Sequence, residues 1–273
     1  MRRGFTLTEL LVAITIIAIL VSIGIWTMGS AAESGREART RATIMKLHSF
    51  VLEQYGSYTT RRLPLILPPN TSPRDAALLR LYAMRDLIRM EMPERRTDIL
   101  GGPATAIPQP RFHVAYQAWL TRMEMNEGFG DYTYIEAEIF YRMVQTVAPD
   151  SRELFMQSEI GDLDGDGAME FLDGWGRPIY FLRWAPAFYD SNLQGRWAMA
   201  DHDPLDVRRL DSKAFRTVPL IYSSGPDGVY GVDVAPGVDY STNPAVDPYQ
   251  ATVGALIEDG GHHDNIHNHR LAP

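Results

Sequence analysis

The chain has no cysteine. That excludes disulfides, thiolate metal sites and a cysteine nucleophile. Its loops must be held by something other than a covalent staple, and a bound metal ion is the obvious substitute. No internal repeat or low-complexity segment is present. Basic charge is in deficit: 26 Lys and Arg stand against 34 Asp and Glu, for a net charge of −8 at pH 7. This argues against a nucleic-acid-binding surface. No Ser-His-Asp order, glycine-rich phosphate loop or acid pair marks a catalytic centre, so the chain reads as a non-enzyme. Its 273 residues allow one large or two small domains.

The most telling absence is of charge. After Glu9 no ionisable residue appears until Glu33. As a helix, Leu10 to Met28 would span about 28 Å, close to the hydrocarbon core of a bilayer. A carboxylate at the head of such a segment is costly and marks a functional site. Near the start of a helix, Glu9 also meets the positive end of the macrodipole. A secretory signal would carry its cut after the apolar core; the basic leader and Gly4-Phe5 junction here precede it. Arg2 and Arg3 put the leader on the cytoplasmic side.

Arg2 to Glu9 and the apolar run after it read R-R-G-F-T-L-T-E-L-L-V-A-I. This resembles the processing motif of type IV pilins and type II secretion pseudopilins. The resemblance implies a prepilin peptidase that removes residues 1–4, cutting after Gly4, and methylates the new amine of Phe5. It implies that Glu9 pairs with the Phe5 amine of a neighbouring copy and sets the register of a filament. A plain signal anchor with a chance glutamate is the alternative. The family usually has a proline near the outer end of this helix. None stands at 23–27, and Gly24 is the candidate for local softness.

Helical spacing continues beyond the apolar run through Ile44, Leu47, Val51 and Tyr55, with Gly56 as a stop. One helix over 5–56 is expected, with its membrane half at 5–28. A loop over 57–71 leads to Ser72-Pro73, a cap followed by a first helical residue. The helix that follows reaches Met92. Two more helices are expected near 112–126 and 133–146, with Tyr116, Trp119, Met123, Tyr141 and Met143 in the core. Residues 57–150 thus read as a helical insertion. Strands are expected at 179–184, 218–222 and 229–234, the last two joined by the turn at 225–228. The fold class is α+β: a long helix, a helical insertion, and a C-terminal β and loop region over 151–273.

Asp162-Leu-Asp-Gly-Asp-Gly-Ala-Met-Glu-Phe-Leu-Asp173 has the spacing of a twelve-residue calcium loop. Asp162, Asp164, Asp166, Glu170 and Asp173 supply side-chain oxygens, and Ala168 a carbonyl. Asp173 is shorter than the usual glutamate, and Gly174 to Pro178 forbid an exiting helix. The loop is therefore expected to join a helix near 151–160 to a strand. An acidic surface turn is the alternative.

Asp173 to Tyr180 resembles the D-x-W-G-x-P segment of major pseudopilins. Tyr222 to Gly228 resembles their Y-S-x-G-x-D-G loop, and Asp264 to Asn268 their terminal D-I-x-N element with one residue inserted. The resemblance implies calcium held by Asp227 and Asp264 with backbone oxygens near Ser223 and Ser224, for one or two ions in all. His262, His263, His267 and His269 suit either a transition metal or a loop that happens to be histidine-rich.

Taken with the resemblance, these readings predict a filament subunit of a type II secretion pseudopilus or type IV pilus. Its partners would be itself, other pseudopilins, the prepilin peptidase, the inner-membrane assembly platform and the membrane. Its C-terminal domain would be periplasmic. A minor tip or adhesion protein is the alternative, and an anchored hydrolase with the insertion as a lid is a third reading.

Overall fold

A computed structural model describes residues 6–125, 132–195, 201–241, 246–250, 252–258 and 261–270, without the side chains of 23–27. Helix α1 (Leu7–Ser57) is continuous. Its N-cap Thr6 and Glu9 form a reciprocal capping box: the Thr6 hydroxyl accepts from the Glu9 N–H at 3.2 Å, and the Glu9 carboxylate accepts from the Thr6 N–H at 2.9 Å. The first half of α1 is bare, with Leu10, Leu11, Ile14, Ile17 and Val21 each more than half exposed. Among the described residues no helix is long and apolar enough to cross a membrane. The span expected at 5–28 takes in Phe5 and the side chains of 23–27, Gly24 included, which lie outside them.

In its second half α1 buries Thr40, Thr43, Ile44, Leu47 and Val51. This stripe packs on α5, β4 and β5. Helix α2 (Pro73–Glu91) starts at Ser72, whose side chain accepts from the Asp75 N–H, and stops before Pro93. A short α3 (Arg96–Leu100), absent from the sequence reading, precedes α4 (Arg111–Glu124) and α5 (Ile135–Val147). Tyr116, Trp119, Met123, Tyr141 and Met143 are buried as expected.

Helix α5 is apolar on most of its circumference because it is central. Phe140 stacks on Phe181 of β3 at 5.0 Å and meets Phe171 of β2 edge-on at 5.7 Å. One core therefore includes α1, α5, both β regions and the helices between them.

The β structure differs from expectation in two places. The stretch near 151–160 forms two 3-10 turns, Pro149–Leu154 and Gln157–Glu159, and not an α-helix. Glu159 folds back to accept the Met156 N–H at 2.6 Å, which closes the second turn at once. The chain then enters a hairpin of β1 (Ile160–Gly161) and β2 (Glu170–Phe171), paired antiparallel. The acidic loop thus joins two strands.

The main sheet orders β3 (Tyr180–Leu182), β4 (Leu220–Ser223) and β5 (Ile266–His267), all antiparallel. Residues 229–234 are no strand and make only an isolated bridge at Val232. Their carbonyls have other partners: Gly231 and Asp233 accept from the N–H groups of Ile257 and Gly254, Tyr230 from the Asn265 side-chain amide, and Val234 from the Arg95 guanidinium. Ile266–His267 takes the vacant edge of β4.

Candidate metal centre

The loop between β1 and β2 is shaped by its own carboxylates. Asp162 accepts from the N–H groups of Gly165 (2.7 Å) and Gly167 (3.1 Å), and Asp166 from Ala168 (2.7 Å). Gly165 and Gly167 sit at φ +78° and +94°, where a side chain would be strained. Strand pairing puts Glu170 opposite Gly161, and Glu170 accepts from the Leu163 N–H at 3.2 Å. The ring closes so that one carboxylate oxygen from each of Asp162, Asp164 and Asp166 lies within 4.8 Å of the others.

A residue from outside the loop completes the cluster. Glu138 of α5 brings an oxygen within 4.8 Å of those of Asp164 and Glu170. Glu138 is 1% exposed and Glu170 0%. Both Glu138 carboxylate oxygens, Glu170 Oε1 and Asp166 Oδ2 are buried with no hydrogen-bond partner on the chain. Among the described residues, none of the five carboxylates has a cationic partner in an ion pair.

Burial, reinforced by the neighbouring carboxylates, pushes Glu138 up to about 8. Glu170 is likewise pushed up to about 8, by burial first and then by Asp164, Asp162 and Asp166, against the Leu163 N–H. Asp166 is raised too, again chiefly by burial. Unpaired buried carboxylates are costly. Their oxygens are hard ligands, suited to calcium more than to a transition metal.

The sequence reading missed Glu138 because its partners stand far along the chain. Its signal was a carboxylate among Ile135, Ile139, Phe140 and Tyr141, where a helix face is otherwise apolar.

Asp173, expected as the last ligand, is turned away. Its carboxylate accepts from the N–H groups of Trp175 and Arg177 at 2.8 and 2.9 Å and from the Ser223 hydroxyl at 2.7 Å. Ala168 is buried, with its N–H on Asp166. Asp227 and Asp264 do meet: the Asp227 N–H donates to the Asp264 carboxylate at 3.0 Å. Among the described residues no third acidic or histidine ligand groups with them.

The histidines divide. His262 stacks on His263, whereas His267 contacts Asp190 at 3.2 Å and His269 accepts from the Ser191 hydroxyl at 2.8 Å, with Phe188 edge-on to both. Of the processing and assembly residues, Gly4 and Phe5 lie outside the described residues, and Glu9 caps α1.

Residues 1–25 match the family model of the prokaryotic N-terminal methylation motif. The chain carries the signal motif of type IV pilins and pseudopilins. Comparison with curated proteins and with solved structures returned no match. The pilin-type motif covers the start of α1 and none of the acidic cluster, so the cluster stands on its geometry alone.

Proposed function

We propose that this pilin-like protein is a structural subunit, not an enzyme, that assembles through α1 into a type II secretion pseudopilus or a type IV pilus-like filament. The observation that carries this reading is the methylation motif at residues 1–25. In this reading the prepilin peptidase cuts between Gly4 and Phe5. The apolar start of α1 then anchors the chain in the inner membrane, with the remainder in the periplasm, until the assembly platform extracts it. The bare apolar residues of α1 give neighbouring copies or lipid a surface to cover. Glu9, the lone acid of that surface, pairs with the methylated Phe5 amine of the next copy. Calcium on the 162–170 loop replaces the absent disulfides as the staple of the C-terminal region.

The test is Glu9→Ala in the native host. The variant should insert and be trimmed to Phe5 by mass spectrometry, yet assemble poorly in filament preparations. Normal filaments from that variant, or a working protein that retains residues 1–4, would overturn the reading. Helices α2 to α5 favour a second possibility, a minor tip subunit, since they add a helical block beside the sheet. Electron microscopy separates the two: a body subunit recurs at every repeat, a tip subunit only at an end.

A further inference from the structure

We propose that the acidic hairpin and helix α5 together form a two-ion calcium site, with Glu138 as the inner ligand and Asp164 shared between an inner and an outer position. The inner set is Glu138, Asp164 and Glu170; the outer set is Asp162, Asp164 and Asp166. The two sets differ in depth. Glu138 and Glu170 are buried, whereas Asp162 and Asp164 are exposed.

Most of the cluster's unsatisfied atoms lie in the inner set, with Asp166 Oδ2 in the outer one. Both oxygens of Glu138 and one of Glu170 are buried and unpartnered. A buried carboxylate is retained at such a position only when something neutralises it. Charge decides the number of ions. Asp162, Asp164, Asp166, Glu170 and Glu138 bring five carboxylates with no basic partner. Ligation takes the ionised form, and with all five ionised one divalent ion would leave three charges uncompensated, whereas two ions leave one. The donors are all carboxylate oxygens, from a loop, a strand and one helix, which suits calcium's variable coordination better than the strict octahedron of magnesium.

The mechanical consequence goes beyond a loop-bound ion. Glu138 belongs to the helical block and Glu170 to the C-terminal region. The inner ion therefore adds a cross-link between two segments that at this place meet through ring packing, Phe140 on Phe171 and Phe181 and Tyr141 on Phe171. This extends the calcium reading of the loop, and it does not depend on the filament reading.

The full chain in detergent, stripped with EDTA, should be titrated with calcium by calorimetry, with native mass spectrometry for the count. The expected result is about two ions per chain and a calcium-dependent rise in melting temperature. Glu138→Gln should bind about one ion and lose most of that rise. Its melting temperature in EDTA should equal or exceed that of the unaltered chain, which shows that it folds. Asp162→Asn should lose the outer ion and keep the inner one with most of the thermal gain. Unchanged stoichiometry and thermal gain in Glu138→Gln would overturn the inner site while leaving the loop reading intact. No calcium uptake by the unaltered chain would sink both.

Discussion

Around Arg183 three buried carboxylates, Asp86, Glu94 and Asp98, meet three guanidiniums, Arg89, Arg95 and Arg183. Around Glu138 the carboxylates have no basic side chain paired with them among the described residues. Both clusters lie on the helical block where it packs against β structure, and both are close to fully buried at their centres. In the first, Arg89 grips Asp86 at 2.9 and 3.0 Å and donates to the carbonyls of Asp98 and Gly102. Arg183 reaches Asp98 at 3.0 Å and lies 4.2 Å over the Trp184 ring. A few atoms there remain unpartnered, among them Asp98 Oδ1 and Arg183 Nε. The signs nevertheless balance. The contrast separates two settings for buried charge: one cluster carries its own counter-charges, whereas the other has none among the described residues, which is the ground for the calcium proposal.

The sharpest break of this comparison is to remove a cation from the balanced side. Arg183→Met leaves Glu94 and Asp98 short of their partner and should cost about 3–5 kcal/mol, the range for breaking a buried pair from one side. Chemical denaturation of the full chain should show this loss equally in calcium and in EDTA. A loss under about 1 kcal/mol would mean that the arginines are not what makes that burial tolerable. On the unbalanced side, adding calcium should itself stabilise. At a hundredfold excess over Kd the gain is about 2.7 kcal/mol for each independent site. Arg183→Met should show the same increment if the two clusters are independent.

How much of this was legible in the sequence depended on how local each signal was. The charge-free run, the Ile44–Leu47–Val51 stripe, the Ser72-Pro73 cap and the helices near α4 and α5 were readable because each is encoded within its own segment. The loop aspartates were readable from spacing alone. Glu138 was not, because its role exists only once α5 lies on the hairpin. The strand expected at 229–234 failed for a related reason. The sequence alternates acceptably there, but Gly231 and Asp233 pair with the distant segment 254–257 and Arg95 takes the Val234 carbonyl, so no ladder to β4 forms. Asp173 had the right spacing for a ligand, yet the turn through Trp175 and Arg177 claims its carboxylate first.

Acidity gives a finer test of the contrast. In metal-free protein Glu138 and Glu170 hold their protons up to about 8, whereas in the unfolded chain they release them near the ordinary value of about 4.3. Over that interval the native state binds more protons, so stability falls as pH rises, by at most about 1.4 kcal/mol per pH unit for each group. The clean window is about 6.5 to 8. Below it His48, His113, His267 and His269, all held down by burial and His269 to about 3, act with the opposite sign, since their stabilisation is lost as pH falls through 6.5. Melting temperatures in EDTA should therefore decline from pH 6.5 to 8, and saturating calcium should abolish the decline. A rise over that window in EDTA would show that the cluster is already neutralised.

The smallest effect comes from a third buried acid that stands between the two cases. Glu159 is buried, which raises its pKa, but the Thr43 hydroxyl, Lys46 and the Met156 N–H outweigh that and leave it below the usual value of 4.5. Lys46 of α1 reaches both of its oxygens at 2.9 and 3.0 Å. Lys46→Met removes the charge from Glu159 and also from the Phe155 ring, over which the Lys46 ammonium lies at 5.3 Å. The lysine is part-exposed and the remaining donors stay in place, so the cost should be about 1 kcal/mol. Because the folded pKa is depressed, this stabilisation is present above pH 4.5 and is lost as pH falls through the folded value. The variant should therefore differ from the unaltered chain at pH 6 and converge with it near pH 3. A difference that persists at pH 3 would assign the loss to the contact of the ammonium with the Phe155 ring and not to its pairing with Glu159.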